Sequence, residues 1–186
     1  MASKTVKLNN GKDLPLVGLG TWKAPEGQVY GAVRAAIDAG YRHIDCAYAY
    51  GNEEEVGRAI KEAIDDGKVT REQLFITSKL WNTYHKRDRV EICLDLSLKA
   101  LGLQYLDLYL IHWPLGYQEG EEKFPKNEKG EVLVSDIDYL ETWKGLEDVL
   151  KTGKVKSIGV SNFNSQQIER ILKEATIRPA VNQVSH

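Results

Sequence analysis

Six short apolar runs alternate with five amphipathic helical patterns between residues 16 and 184, and few architectures accommodate that order. The runs are LVGLG (16–20), YRHIDCA (41–47), LFITSKL (74–80), LDLYLIHW (106–113), VKSIGVSNF (155–163) and PAVNQV (179–184). Their apolar residues are not confined to alternate positions, as expected of strands buried on both faces. Between them, Val29, Val33, Ala36 and Ile37 form one helical stripe that stops at Gly40. Val56, Ile60 and Ile64 form a second, ending near Gly67. Val90, Leu94, Leu98 and Leu101 form a third, Leu140, Trp143, Leu146 and Leu150 a fourth, and SQQIERILKEA (165–175) supplies the last. Strict alternation of this kind predicts a parallel sheet covered by helices, either an open doubly wound sheet or a barrel. A dinucleotide-binding open sheet would need G-x-G-x-x-G at its first strand-to-helix turn, but GLGTWK carries Lys23 at the third glycine position, which favours the barrel. Ahead of the alternation, residues 4–20 alternate on either side of Asn10-Gly11, predicting a β-hairpin with a two-residue turn.

Composition narrows the partners. With 25 basic and 27 acidic residues in 186, the net charge of −2 lacks the basic bias that nucleic acid or an anionic membrane surface demands. Asp107 and His112 interrupt the most apolar stretch, so no membrane span is expected. Two cysteines, Cys46 and Cys93, are too few for a disulfide framework, and the polar start MASKTVKLNN has no signal-peptide core, which together predict a cytoplasmic protein. Cys46 has no His or Cys partner at metal-ligand spacing, and no metal is expected. Length fits one domain over residues 1–186.

The informative residues lie where the runs end. Asp45, Lys79, His112, Ser161-Asn162 and Asn182-Gln183 fall at the ends of five different strands, and in a parallel barrel all those ends open on one face, where active sites of that fold lie. Taken singly, each has a plainer reading: a lysine snorkelling at a rim, a hydrogen-bonded core histidine, a Ser-Asn helix cap. Their convergence argues against those readings. The long connection PLGYQEGEEKFPKNEKGEVLVSD (114–136) follows the fourth run, and long loops inside compact domains are usually functional.

In order and spacing, the segments GLGTW, HIDCAYAYGNE, ITSKLWN, LYLIHWP, IGVSNFN and PAVNQV closely resemble the aldo-keto reductases, in particular the aldose and aldehyde reductase branch, from residue 5 to about 184. The resemblance implies a (β/α)₈ TIM barrel, here its first six strands with the N-terminal hairpin, in an NADPH-dependent enzyme that reduces aldehydes and ketones to alcohols. It implies a catalytic tetrad of Asp45, Tyr50, Lys79 and His112. It also implies cofactor contacts from Thr21, Trp22, Asp45, Ser161, Asn162 and Gln183, and an aromatic substrate pocket of Trp22, Tyr48, Trp81, Trp113 and Phe124, widened by Ala49. The tetrad makes chemical sense on its own. A tyrosine is a reluctant acid, an adjacent lysine ammonium favours its phenolate, an aspartate keeps that lysine charged, and a neutral histidine can orient a carbonyl oxygen.

Relatives usually continue after the sixth strand with an acidic residue and a His-Pro pair, whereas Ser185 stands at the acidic position and the sequence ends at His186. A whole barrel takes about 250 residues. The remaining strands, the adenosine-phosphate loops and the C-terminal substrate loop would lie beyond. The resemblance therefore implies a reductase whose full-length parent is monomeric, with the 186-residue chain alone expected to bind NADPH weakly and turn over poorly. The alternative is a truncated, non-catalytic isoform or a structural or binding relative.

Overall fold

The computed structural model describes residues 4–25 and 27–184, so Ser185 lies outside the described residues. Strands β1 (Thr5–Lys7) and β2 (Asp13–Pro15) pair antiparallel with Val6 opposite Leu14. Their loop differs from the two-residue turn expected. Leu8 N–H donates to the Lys12 carbonyl at 2.8 Å and Gly11 N–H to the Leu8 carbonyl at 2.9 Å, which leaves a three-residue loop. Gly11 has φ 81° and Asn10 is not among the positive-φ residues; a two-residue type I′ turn needs both, whereas a three-residue loop needs only the glycine. Asn10 instead reaches the Lys156 carbonyl at 2.9 Å and Ser157 Oγ at 2.8 Å, tying the hairpin beneath the main sheet.

That sheet contains six parallel strands in chain order: β3 (Leu19–Gly20), β4 (His43–Asp45), β5 (Phe75–Leu80), β6 (Leu108–Ile111), β7 (Ile158–Ser161) and β8 (Asn182–Gln183). Helices α1 (Val29–Asp38), α2 (Glu53–Asp65), α3 (Val90–Leu101), α4 (Tyr139–Lys151) and α5 (Ser165–Glu174) connect them. Sequential order without a switch point lets the sheet curl, and the curl brings Gln183 of β8 within 3.1 Å of Asp45 on β4. The result is the larger part of a (β/α)₈ barrel, the alternative that Lys23 at the third glycine position favoured over an open sheet. The first strand is shorter than the run LVGLG, since only Leu19 and Gly20 pair, with Ile44 and Asp45, while Leu16 and Val17 are exposed.

Side-chain parity separates two environments. Ile44, Ile76, Leu80, Tyr109, Ile111, Ile158 and Val160 face outward and pack with the buried helix stripes, including Val33, Ile60, Leu94, Trp143 and Ile171. Inward, Leu8 beside the hairpin loop, Phe75, Leu108 and Leu110 close the lower end. Above them His43 Nε2 meets Thr77 Oγ1 at 3.0 Å, and Asp45 and Lys79 occupy the upper layer. Among the described residues no helix is long and apolar enough to cross a membrane.

Two positions show how tightly the frame is packed. At Gly57 of α2, a Cβ would lie 2.5 Å from the Leu101 carbonyl oxygen at the end of α3, so the two helices touch through backbone. Gly57→Ala is expected to destabilise the fold by about 1–3 kcal/mol through overpacking, although alanine is the better helix former. An unchanged urea midpoint would show that the helices part freely. His85 is buried with neither ring nitrogen partnered, and burial depresses its pKa from 6.5 to about 4. The unfolded chain therefore binds a proton below pH 6.5 that the folded chain refuses until about pH 4, so this residue lowers stability as pH falls across that window. His85→Leu should flatten that part of the stability–pH curve, measured by urea unfolding at pH 4.5 and 7. An equal pH 4.5-to-7 difference in both proteins would contradict it.

Candidate active site

The register of β4 and β5 places Asp45 opposite Thr77, which sets Lys79 one pleat higher on the same inward face. From there the Lys79 ammonium, 1% exposed, donates to Asp45 Oδ2 at 2.8 Å, to the Cys46 carbonyl at 2.9 Å and to the Tyr50 hydroxyl at 3.2 Å. Tyr50 reaches this point because a single 3₁₀ turn, Tyr48–Tyr50, follows β4 and is closed by Gly51 at φ 71°. His112 follows β6 directly, with its ring 5.7 Å from that of Tyr50 in an edge-on arrangement. The four residues picked out in the sequence thus come together at one mouth of the sheet.

Electrostatics assign the protonation of Tyr50 and His112. Burial pushes the Tyr50 phenol above its ordinary value, Lys79 pulls it down, and Asp45 pushes it up again, for a net rise. The lysine acts in the expected direction but desolvation outweighs it, so the hydroxyl keeps its proton at neutral pH. Burial first, and Lys79 second, depress His112 to about 3, so its imidazole is neutral and can donate an N–H.

A second polar group adjoins the first. Ser161 ends β7, and Asn162 follows at φ 62°, donating to the His112 carbonyl at 3.0 Å and to Ser161 Oγ at 3.1 Å. Ser161 Oγ donates to the Gln183 carbonyl at 2.7 Å, and Thr21 Oγ1 donates to the Asp45 carbonyl at 3.0 Å. Helix α5 is capped by Asn164 in a reciprocal box with Gln167, so Ser161-Asn162 are not its cap. Hydroxyls and amides from the ends of β3, β7 and β8 therefore offer donors and acceptors side by side, a set that fits a nicotinamide carboxamide with its N–H₂ and C=O.

Trp22, Ala49, Tyr50, Trp81, His112, Trp113 and Phe124 surround a cleft of about 520 Å³ directly in front of the Tyr50–His112 pair. Trp81 stands edge-on to both His112 at 5.3 Å and Phe124 at 5.2 Å. Tyr48 departs from expectation: it does not line this cleft. Its hydroxyl pairs with that of Tyr84 at 3.3 Å and its ring borders a different cavity. With about three residues per 3₁₀ turn, residues 48 and 50 point about 120° apart around the axis and cannot both face the mouth.

Several supporting contacts had no signature in the sequence. The Cys46 carbonyl is a backbone acceptor, and the Asn52 amide donates to the Thr21 carbonyl at 2.9 Å from a position that reads as an ordinary turn residue. Lys123 bonds the Tyr48 carbonyl at 3.1 Å from 75 residues away.

Comparison with known proteins agrees with this arrangement. The profile described as the Aldo/keto reductase family matches residues 16–186. Aldo-keto reductase family 1 member A1 from Mus musculus and from Homo sapiens are each 53% identical over 185 residues, covering 99% of this chain and 57% of theirs. The structure described as the aldose reductase from Schistosoma japonicum superposes with a TM-score of 0.96 at 45% identity, over 98% of this chain and 61% of its own. The chain thus spans little more than half the length of these curated relatives. Identity at this level across nearly every residue of the chain, with a family profile matched from Leu16 onward, makes it a member of the aldo/keto reductase family.

Proposed function

We propose that this chain carries the catalytic face of an NADPH-dependent carbonyl reductase, converting aldehydes or ketones to alcohols, with Tyr50 as proton donor. One observation supports the reading above others: the Lys79 ammonium lies 2.8 Å from Asp45 and 3.2 Å from the Tyr50 hydroxyl, with a neutral His112 beside it, at the floor of an aromatic cleft. Asp45 pairs with Lys79 and aims it at the Tyr50 hydroxyl. Lys79 counters the burial that makes the Tyr50 phenolate costly. His112 donates an N–H to the substrate oxygen and fixes it within reach of the Tyr50 proton. As that oxygen gains negative charge, the Tyr50 O–H bond breaks toward it, leaving a phenolate beside the Lys79 ammonium.

A reduced nicotinamide, when bound, supplies the hydride to the carbonyl carbon. Ser161, Asn162 and Gln183 would hold its carboxamide, with Thr21, Trp22 and Asp45 near the ribose. Trp22, Trp81, Trp113 and Phe124 would exclude water from the carbonyl and take an apolar substrate. The same reading includes a single barrel domain, a cytoplasmic location, no nucleic-acid or membrane partner, and a monomeric full-length parent.

Tyr50→Phe is expected to keep the fold, because the ring still packs against His112 and Trp22, and to lose about 10²-fold or more in kcat for an aromatic aldehyde. Steady-state rates in the full-length parent test this. Activity within about threefold of the unsubstituted enzyme would mean another group supplies the proton. Lys79→Met removes the charge that lowers the Tyr50 pKa, so the alkaline limb of the pH–rate profile, where the donor loses its proton, should move to higher pH while the rate falls. An alkaline limb at the same pH in a variant that still turns over would contradict the assigned role of Lys79.

A further inference from the structure

Lys123 and Phe124 are consecutive residues of the long connection, yet they serve different cavities. Phe124 stands edge-on to Trp81 and walls the aromatic cleft. Lys123 extends the other way: its ammonium donates to the Tyr48 carbonyl at 3.1 Å, lies 5.0 Å over the Tyr48 ring, and borders a separate cavity of about 540 Å³ shared with Glu53, Glu54 and Lys99. Between the two side chains, the Lys123 carbonyl accepts the Trp81 indole N–H at 2.7 Å. One residue is thus fastened both to the turn that carries Tyr50 and to the tryptophan that follows β5.

The rest of the connection holds mainly to itself. Tyr117 bridges Val134 and Lys126 bridges Val132 in an antiparallel ladder, and Asn127 closes its tip on Lys129 and Glu131. Among the described residues, the polar attachments of segment 118–133 to the barrel are the exposed Arg89–Glu119 pair at 3.5 Å and Lys123. Exposed ion pairs contribute little, whereas a charge-assisted bond to a half-buried carbonyl, stacked on an aromatic ring, contributes more. Burial raises the pKa of the Glu53 carboxyl, and the Lys123 charge is among the groups that counter that rise across the shared cavity. Phe124 is half exposed and meets the barrel edge-on at Trp81, so its place in the cleft depends on the anchor next to it.

We propose that Lys123 is a positioning residue that sets substrate specificity. By latching the 114–136 connection to the backbone of Tyr48, it fixes Phe124 as a wall of the cleft and favours aromatic carbonyl compounds over small aliphatic ones. The proposal rests on the reductase reading for its substrate, but the latch itself is a property of the chain and is measurable without turnover.

Lys123→Met keeps the aliphatic stem and removes the charge, while Lys123→Arg keeps both charge and stacking. Hydrogen–deuterium exchange on the chain should show residues 117–134 exchanging about tenfold faster in Lys123→Met, with α2 and α3 unchanged, and near the original rate in Lys123→Arg. Binding of 4-nitrobenzyl alcohol, followed by quenching of tryptophan fluorescence, should weaken about tenfold in Lys123→Met and recover in Lys123→Arg. In the full-length enzyme, the ratio of kcat/KM for benzaldehyde over propanal should fall by a similar factor, with the change carried by KM. Unchanged exchange in Lys123→Met overturns the latch. Faster exchange with unaltered aromatic binding overturns its role in specificity. Absence of turnover in the unsubstituted full-length enzyme would remove the reductase reading and leave the exchange and binding results to judge the latch.

Discussion

A lysine ammonium sealed inside a barrel is the interaction on which this site depends. Lys79 is almost wholly buried, and burying a charge is costly unless it is paired and fully hydrogen-bonded. Its three N–H bonds have three acceptors, the Asp45 carboxylate, the Cys46 carbonyl and the Tyr50 hydroxyl, and each comes from the strand and turn next to β5. Because two of those acceptors are fixed by β4 and its first following residue, the third is the only one a rearranging turn could lose. The need to satisfy the ammonium therefore holds Tyr50 at the mouth of the cleft.

The remaining scaffold supports that arrangement from both sides. From below, Leu8 and the Phe75, Leu108 and Leu110 layer exclude water from beneath His43 and Thr77. From across the curl, Gln183 donates to Asp45 Oδ1, so the carboxylate oxygen not used by Lys79 is also engaged. Asn162, in a left-handed conformation that few residues other than glycine adopt readily, bonds the His112 backbone and so ties the β7 end to the histidine. The site is thus assembled from five strand ends, each reached by at least one hydrogen bond from another element. Rigid elements of this kind hold reacting groups more closely than loops do.

Much of this was legible in the sequence because it follows from period and position. Helix stripes such as Val29–Val33–Ile37 and strand runs such as LFITSKL are local patterns, and the parallel topology that follows puts Asp45, Lys79, His112, Ser161 and Gln183 at one end. What escaped depends on local turn geometry or on contacts between distant residues. A 3₁₀ turn sends Tyr48 away from the cleft that Tyr50 faces, although the motif places both beside it. One positive φ at Gly11, rather than two, lengthens the hairpin loop. The net rise in the Tyr50 pKa required knowing how deeply the phenol is buried, and the reach of Lys123 to Tyr48 required the path of the long connection. Spacing along a chain reports none of these quantities.

The account's central claim is that Asp45 compensates the buried charge of Lys79, and a double-mutant cycle on stability tests it most directly. Asp45→Asn, Lys79→Met and the double variant would be compared with the unsubstituted chain by urea unfolding. Removing the carboxylate alone leaves an ammonium in the interior, and breaking a buried pair in this way typically costs about 3–5 kcal/mol. The account predicts that Asp45→Asn is less stable than the double variant, because deleting the lysine as well removes the orphaned charge. Additive effects of the two substitutions, with the double variant the least stable of all, would contradict it.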